Sequence, residues 1–457
     1  MASQPATRRV IVLCDGTWCG RETNTKSNVN FLARMIGIDL ENGATEYHSE
    51  QHGIHAKYFD GVGLGGDFMR YLWDGALATH AKEECSMVYE FIVRHSLWDD
   101  QVSTEVWMFG ISRGAYIVRS VAGLINNCGI IRNTPENADL IKLAYDVYQN
   151  PHPVHHPTSQ EMRDFRANVS YPVQTPVKFM GLFDTVGGRG VPRLNYHTGT
   201  GFEWPEFYDN CVSTAVEKVY HALSIHDRFW GFQPCLAFRA PSTPGNPAPP
   251  NLKIRQKWFP GCHYDLARQE FQFLREGGSL WEKISFPILN LFSKTVSPND
   301  KLADLVLIWM LQGVDSEGGG AIIRKDLDRR DSDIATAITQ TRNRLLGSSP
   351  IGTGDMYDDI LSYIPGGKVL SAPIRWFKNM NKTTYAILFK VVDRMIPDPG
   401  INTATAPVWN EVYDYTAPDT DLGGAVIEGI AGLDVGRYPS RTFQNYRAYM
   451  RAVNRPP

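Results

Sequence analysis

The chain of 457 residues is long enough for one large domain with insertions or two ordinary ones, and its 43% hydrophobic and 21% charged content are those of a folded protein with a substantial core. A formal net charge of −3 supplies no basic face, so no nucleic-acid partner is expected. The seven cysteines lack C-x-x-C spacing and indicate neither a disulfide framework nor a zinc cluster; Cys14, Cys128 and Cys235 lie in or beside apolar stretches, as small core residues do. Residues 1–9 lead into a strand without the apolar region of a signal peptide, which predicts a cytoplasmic protein. The most apolar run, Leu302 to Leu311, is too short to span a bilayer, so no transmembrane segment is expected and a peripheral membrane contact stays open.

Arg9-Val10-Ile11-Val12-Leu13-Cys14 is a continuous apolar run, the pattern of a strand covered on both faces in a parallel sheet. It ends in the turn Asp15-Gly16-Thr17-Trp18. A loop at the carboxyl end of such a strand is where an open α/β sheet places its ligands, which makes Asp15 and Trp18 candidate substrate contacts. Val29 to Ile38 has helical spacing. A second strand, His55 to Phe59, leads into the glycine-rich segment Gly61 to Gly66. That segment lacks the Gly-Lys-Ser/Thr ending of a P-loop and reads as a flexible loop near the site in preference to a phosphate cradle. Gly75 to Leu97 carries a long helical pattern.

The stretch that organises the chain is next. A buried strand, Val106 to Phe109, runs into Gly110-Ile111-Ser112-Arg113-Gly114 and then into a helix with Ile117, Val118, Val121, Ala122 and Leu124 on its apolar side. Strand, Gly-x-Ser-x-Gly turn and helix together have the form of a nucleophile elbow, in which glycines let strand and helix pass close to a strained serine. A bare Gly-x-Ser-x-Gly also arises by chance, and the flanking elements favour the catalytic reading. Ser112 is therefore the candidate nucleophile. Tyr116, in the first helical turn, is a candidate substrate contact. The alternation of strands and helices predicts an α/β fold, a mainly parallel sheet with helices on both faces.

Glu136 to Tyr148 predicts a further helix, and Pro151 to Pro172 a loop. His152, His155 and His156 in that loop lack a carboxylate at ligand spacing and read as solvated, in preference to metal-binding. Val177 to Phe183 is the next buried strand and ends at Asp184, which in the chain order serine, acid, histidine suits an α/β-hydrolase. A carboxylate capping the next turn has the same sequence appearance. Tyr220 to Arg228 reads as helical and holds His221 and His226. Pro241 to Pro250 is a surface connection, Leu252 to Phe259 a strand, and His263 follows it on a loop. A histidine just past a late strand is where the general base belongs, so His263 is preferred over His221 and His226.

Beyond about Gly277 the alternation stops. Lys301 to Leu311, Asp331 to Leu346, Thr383 to Met395 and Gln444 to Ala452 read as helices. The expected organisation is an α/β-hydrolase-like core over residues 1–280, with residues 281–457 as a helical extension or lid packed on it. The apolar segments Phe286 to Phe292 and Leu302 to Met310 suit either an acyl pocket or core helices, with core the favoured reading.

Cys14-Asp15-Gly16-Thr17-Trp18, Gly110 to Tyr116, Gly181-Leu182-Phe183-Asp184-Thr185-Val186-Gly187 and Trp258 to Asp265 resemble the motifs of one α/β-hydrolase family. That family includes the catalytic domains of a class of bacterial type VI secretion phospholipase effectors and many fungal members, and the likeness covers about residues 8 to 315. The resemblance implies Ser112 as nucleophile, Asp184 as acid and His263 as base. Two departures stand out: Ile111 replaces an aromatic, and Leu266-Ala267-Arg268 replaces a run of glycines after the histidine motif.

The chemistry so implied is attack of Ser112 on a carboxylic ester of a lipid or small metabolite, giving an acyl-serine intermediate. The backbone N–H of Arg113 and a second one from the Gly16-Thr17 turn would form the oxyanion hole. The Arg113 and Arg119 side chains suit either an anionic substrate group or carboxylates of the helical layer. No metal or cofactor is required. An acyltransferase with the same triad, an inactive binding protein on the same fold, and a nucleotide-binding enzyme using the Gly61 to Gly66 loop are the alternatives.

Overall fold

The computed structural model describes residues 5–16, 26–61, 76–186, 211–228, 233–239, 252–269, 271–272, 295–347, 393–394, 396, 408–413 and 441–452. Eight strands form one sheet: β1 (Ala6–Cys14), β2 (Glu46–Ser49), β3 (Ile54–Phe59), β4 (Val102–Ile111), β5 (Val177–Phe183), β6 (Val216–Ser224), β7 (Lys253–Phe259) and β8 (Val408–Val412). Their spatial order is β8-β7-β6-β5-β4-β1-β3-β2, and every neighbouring pair is parallel except the edge pair β2–β3.

The apolar runs are buried because alternate side chains enter two separate cores. Ile11, Leu13, Trp107, Phe109 and Ile111 face one side, with α1 (Asn28–Ile36) and the long helix Asp300–Ser316. Val10, Val12, Cys14, Val106 and Met108 face the other, with α2 (Ala76–His95), α3 (Arg113–Cys128) and α4 (Ala138–Gln149). Two shorter helices, α5 (Gln160–Val169) and α6 (His263–Ala267), precede the Asp300–Ser316 helix, α7. The chain then forms α8 (Ile334–Leu346) and α9 (Arg441–Ala452). The run Leu302 to Leu311 is buried on all sides in α7, as expected of a helix apolar all round. Its Trp309 ring sits 5.3 Å from Tyr220 and 5.5 Å from Phe259, so this segment is core.

Four differences from the sequence reading have physical causes. Residues 216–224 form a strand where Tyr220 to Arg228 reads as a helix. Val216, Val219, Tyr220 and Leu223 stand at helical spacing, but the segment is inserted between β5 and β7, and burial on both faces decides for the strand. α5 lies inside the stretch read as loop. Its apolar stripe is narrow, Met162 buried with Phe165 and Val169 half-buried against the core, and the Ser159 side chain caps it by accepting from the Met162 N–H. β2 is a short edge strand that the sequence does not announce. β8 comes from the half expected to be helical and pairs with β7. The segment Phe286 to Phe292, most of Gly61 to Gly66 and most of Thr383 to Met395 lie outside the described residues.

Candidate active site

Ser112 ends β4 and caps α3 with φ 54° and ψ −117°, a conformation that costs an L-residue about 1–3 kcal/mol and persists only where the surroundings over-determine it. Those surroundings are backbone. A Cβ on Gly110 would lie 2.5 Å from the Gly114 carbonyl oxygen and 2.6 Å from Ala115 Cα, and one on Gly114 would lie 2.6 Å from the Asp15 carbonyl oxygen. The Ser112 N–H donates to the Phe183 carbonyl at 2.8 Å, which fastens the bend to β5. Gly114→Ala therefore drives α3 against the end of β1. We expect a loss of about 3 kcal/mol, the upper end for overpacking, read as a fall in the urea midpoint.

Asp184 follows β5 and His263 opens α6 after β7. The structure brings them to Ser112: His263 Nε2 lies 2.9 Å from Ser112 Oγ, and His263 Nδ1 lies 2.7 Å from Asp184 Oδ2. All three are covered, with 4%, 1% and 1% of Ser112, Asp184 and His263 exposed. Burial alone pushes the Asp184 carboxyl up, but the Arg394 guanidinium and the His263 hydrogen bond outweigh it and hold the group below the usual carboxylate range. An ionised Asp184 only accepts, so Nδ1 carries the hydrogen and Nε2 turns a lone pair to the Ser112 hydroxyl.

Arg394 is a site residue that the sequence does not announce. Its Nη1 donates to Asp184 Oδ1 at 2.7 Å and its Nη2 to Oδ2 at 2.9 Å, a two-pronged clamp, and Nη1 also donates to the Ser224 carbonyl at 2.8 Å. The Ser224 N–H donates to Oδ1 at 3.0 Å. No local pattern marks Arg394, which is 210 residues from Asp184 along the chain.

His263 is held by its backbone. Its N–H donates to Asp227 Oδ2 at 3.0 Å, and the Cys262 N–H to Asp265 Oδ2 at 2.8 Å. Asp265 Oδ1 accepts from the Asn299 N–H at 2.8 Å, tying α6 to the start of α7. Burial pushes the Asp265 carboxyl up to about 6 against those backbone bonds. Where the resembling family has glycines, Leu266 and Ala267 complete the buried α6. Arg268 locks its end, with Nε 3.3 Å from Asn28 Oδ1 and Nη1 2.7 Å from Asp300 Oδ1.

The other candidate bases have different partners. The Nε2 of His221 accepts from the Thr185 N–H at 3.2 Å and its Nδ1 faces Gln256 Oε1 at 3.2 Å; burial, then Arg119, pushes its pKa down to about 3. His226 Nδ1 accepts from the Gly261 N–H at 2.8 Å and so shapes the loop leading to His263. Asp15 proves to be a buried anchor instead of a surface facing substrate: its carboxylate accepts from Ser27 Oγ at 2.7 Å, Tyr58 OH at 2.5 Å and the Gly16 N–H at 2.9 Å. That last bond engages the Gly16 N–H, although Gly16 itself lies against Ser112. Tyr116 is packed in the core on the α2 and α3 side. Arg113 Nη2 lies 3.3 Å from Glu84 Oε1, and Arg119 Nη2 donates to the Leu236 carbonyl at 3.1 Å, so both arginines serve the scaffold. Thr17 and Trp18 lie outside the described residues. His152 and His156 bond within their own exposed loop, to the Val154 N–H and Thr158 Oγ1.

With this geometry in place, residues 8–313 match the catalytic domain of the Tle1-like phospholipase effectors of the type VI secretion system. The chain belongs to that family. A protein of Saccharomyces cerevisiae described only as uncharacterized is 27% identical over 241 residues, covering 50% of this chain and 32% of the yeast protein, so the chain spans about a third of that relative. A structure of the Tle1 effector bound to the VgrG spike aligns with a TM-score of 0.37 and 13% identity over 79% of this chain and 84% of that one. An uncharacterized protein from Pseudomonas aeruginosa aligns with a TM-score of 0.34 and 12% identity over 84% of this chain and 56% of that one.

The matched family is described as phospholipase effectors, and the matched part is their catalytic domain. Ser112, Asp184 and His263 fall inside the Tle1-like match, whereas Arg394 and β8 lie beyond its end. Among the described residues of this Tle1-like chain no helix is long and apolar enough to cross a membrane.

Proposed function

We propose that the chain hydrolyses a carboxylic ester of a lipid through an acyl-serine intermediate, with Ser112 as nucleophile, His263 as general base and Asp184 as its orienting acid. The observation that carries this reading is the continuous hydrogen-bonded path from Ser112 Oγ through both ring nitrogens of His263 to Asp184. In the first step Oγ bonds to the ester carbonyl carbon as its proton passes to Nε2. Asp184 balances the imidazolium. The C–O bond then breaks and the alcohol leaves with the Nε2 proton. Water repeats the sequence on the acyl-serine and releases the acid. The backbone N–H of Arg113, first residue of α3, belongs to a helical turn with no intrahelical acceptor and serves the oxyanion; one such donor is worth about 3 kcal/mol. The family's description as phospholipase effectors supports a lipid ester over a small-metabolite ester.

A fluorophosphonate probe tests the reading. We expect an adduct on the peptide carrying Ser112, labelling slowed by about 10³-fold or more in His263→Ala, and labelling within about tenfold of wild type in His226→Ala. A folded wild type that takes no label is a binding protein on a hydrolase fold, and the proposal is then wrong. Equal labelling of His263→Ala removes the base. Hydrolysis of phospholipid vesicles against p-nitrophenyl esters of rising chain length then assigns the acyl preference.

A further inference from the structure

At the far edge of the sheet from β8, the antiparallel register sets His48 of β2 directly opposite His55 of β3. Their Nδ1 atoms are 3.2 Å apart. His95, the last residue of α2, stacks on His55 with ring centroids 4.9 Å apart and lies 5.2 Å from His48. One ring nitrogen from each of the three lies within 4.8 Å of the other two. The sequence separates them too widely to read as a ligand set, although His48 and His55 flank the Gly53 turn at matched positions.

Two features go beyond chance stacking. A tetrahedral ion holding two imidazole nitrogens at about 2.0–2.1 Å sets them about 3.3 Å apart, close to the observed Nδ1 pair. The opposite nitrogens face carboxylates: His48 Nε2 lies 3.1 Å from Glu46 Oε2, and His55 Nε2 lies 3.9 Å from Glu50 Oε1. A carboxylate on the second ring nitrogen is what orients ligating histidines. Only the His48–Glu46 contact is short enough to be a hydrogen bond; the buried His55 Nε2 makes none, and Glu50 stands beside it as a more distant charge.

We propose that His48, His55 and His95 form a binding site for a divalent transition-metal ion of the zinc class, with water in the fourth position. The exposed His48 gives the ion its way in, and Glu46, itself 2.7 Å from Lys57 Nζ, steadies the rim. His55 sits at the amino end of β3, while Ser112, Asp184 and His263 lie at carboxyl ends of their strands, so the site has no part in ester chemistry. Its effect is to clip the edge strand β2 and the end of α2 onto β3, which shields an edge that would otherwise pair with another chain.

The test uses the full chain, stripped with a chelator and titrated with zinc chloride, then with cobalt(II) chloride. We expect one equivalent of zinc, the strong visible absorption of four-coordinate cobalt, and a melting temperature raised by several degrees. His48→Ala, at an exposed position, and His95→Gln each weaken zinc binding at least tenfold and leave ester hydrolysis unchanged. Wild type that retains no zinc after gel filtration overturns the proposal. So does undiminished zinc binding in His48→Ala, which would move the ion to other groups such as the His152 to His156 loop.

Discussion

Ser112→Ala lowers ester turnover by about 10⁵-fold or more with the fold intact, because the reacting oxygen is lost and its neighbours are not. The substitution keeps the Cβ, so the backbone clamp from Gly110, Gly114 and the Phe183 carbonyl is unchanged and the positive φ is strained in either variant. What disappears is the 2.9 Å contact with His263 Nε2. A variant with wild-type melting behaviour that retains more than about one part in a hundred of turnover would exclude Ser112 as nucleophile. Residual hydrolysis near the limit reports what the oxyanion donor and substrate binding achieve alone.

Arg394→Met destabilises the protein by about 3–5 kcal/mol, the cost of leaving a buried carboxylate without its cation. Arg394 and Asp184 are both fully covered, and two of the carboxylate's contacts come from the guanidinium. In wild type the folded pKa of Asp184 is depressed. Its stabilisation is then complete above the unfolded value of about 3.9 and is lost as pH falls through the folded one. Without Arg394, burial is opposed chiefly by His263 and the carboxyl climbs. Protonated Asp184 cannot balance the imidazolium, so the acid limb of turnover moves toward neutrality. At pH 7 the loss lies between nothing and the about 10⁴-fold that a mis-set histidine tautomer brings. Arg394→Lys restores the charge without the fork and recovers part of the acid limb. A merely structural arginine would lower the melting temperature and leave the pH profile where it was.

The parts of this molecule that were legible in its sequence are those where local pattern and tertiary position agree. β1, β5 and the second half of β4 are apolar runs because both faces of the sheet are covered, β7 alternates polar and apolar residues before Trp258-Phe259, and Ser112, Asp184 and His263 follow the carboxyl ends of β4, β5 and β7. The glycines around Ser112 are readable because only a hydrogen fits between α3 and β1. β6 misleads because its buried positions satisfy two periods at once, and α5 because its stripe is only Met162, Phe165 and Val169 in an otherwise polar segment. Arg394 leaves no trace, since a counter-ion recruited from a distant segment needs only to arrive in space. Asp15 shows a subtler failure: its place in the loop is legible, but the direction of its carboxylate depends on Ser27 and Tyr58, brought in by α1 and β3.

The family's catalytic region ends at residue 313, inside α7, while the cation that neutralises Asp184 and the strand that closes one edge of the sheet are supplied from further along. A fragment trimmed to that boundary would keep Ser112, Asp184 and His263 and yet leave the buried Asp184 carboxylate without the Arg394 guanidinium. The electrostatic balance of the matched region is thus completed by chain that lies outside it.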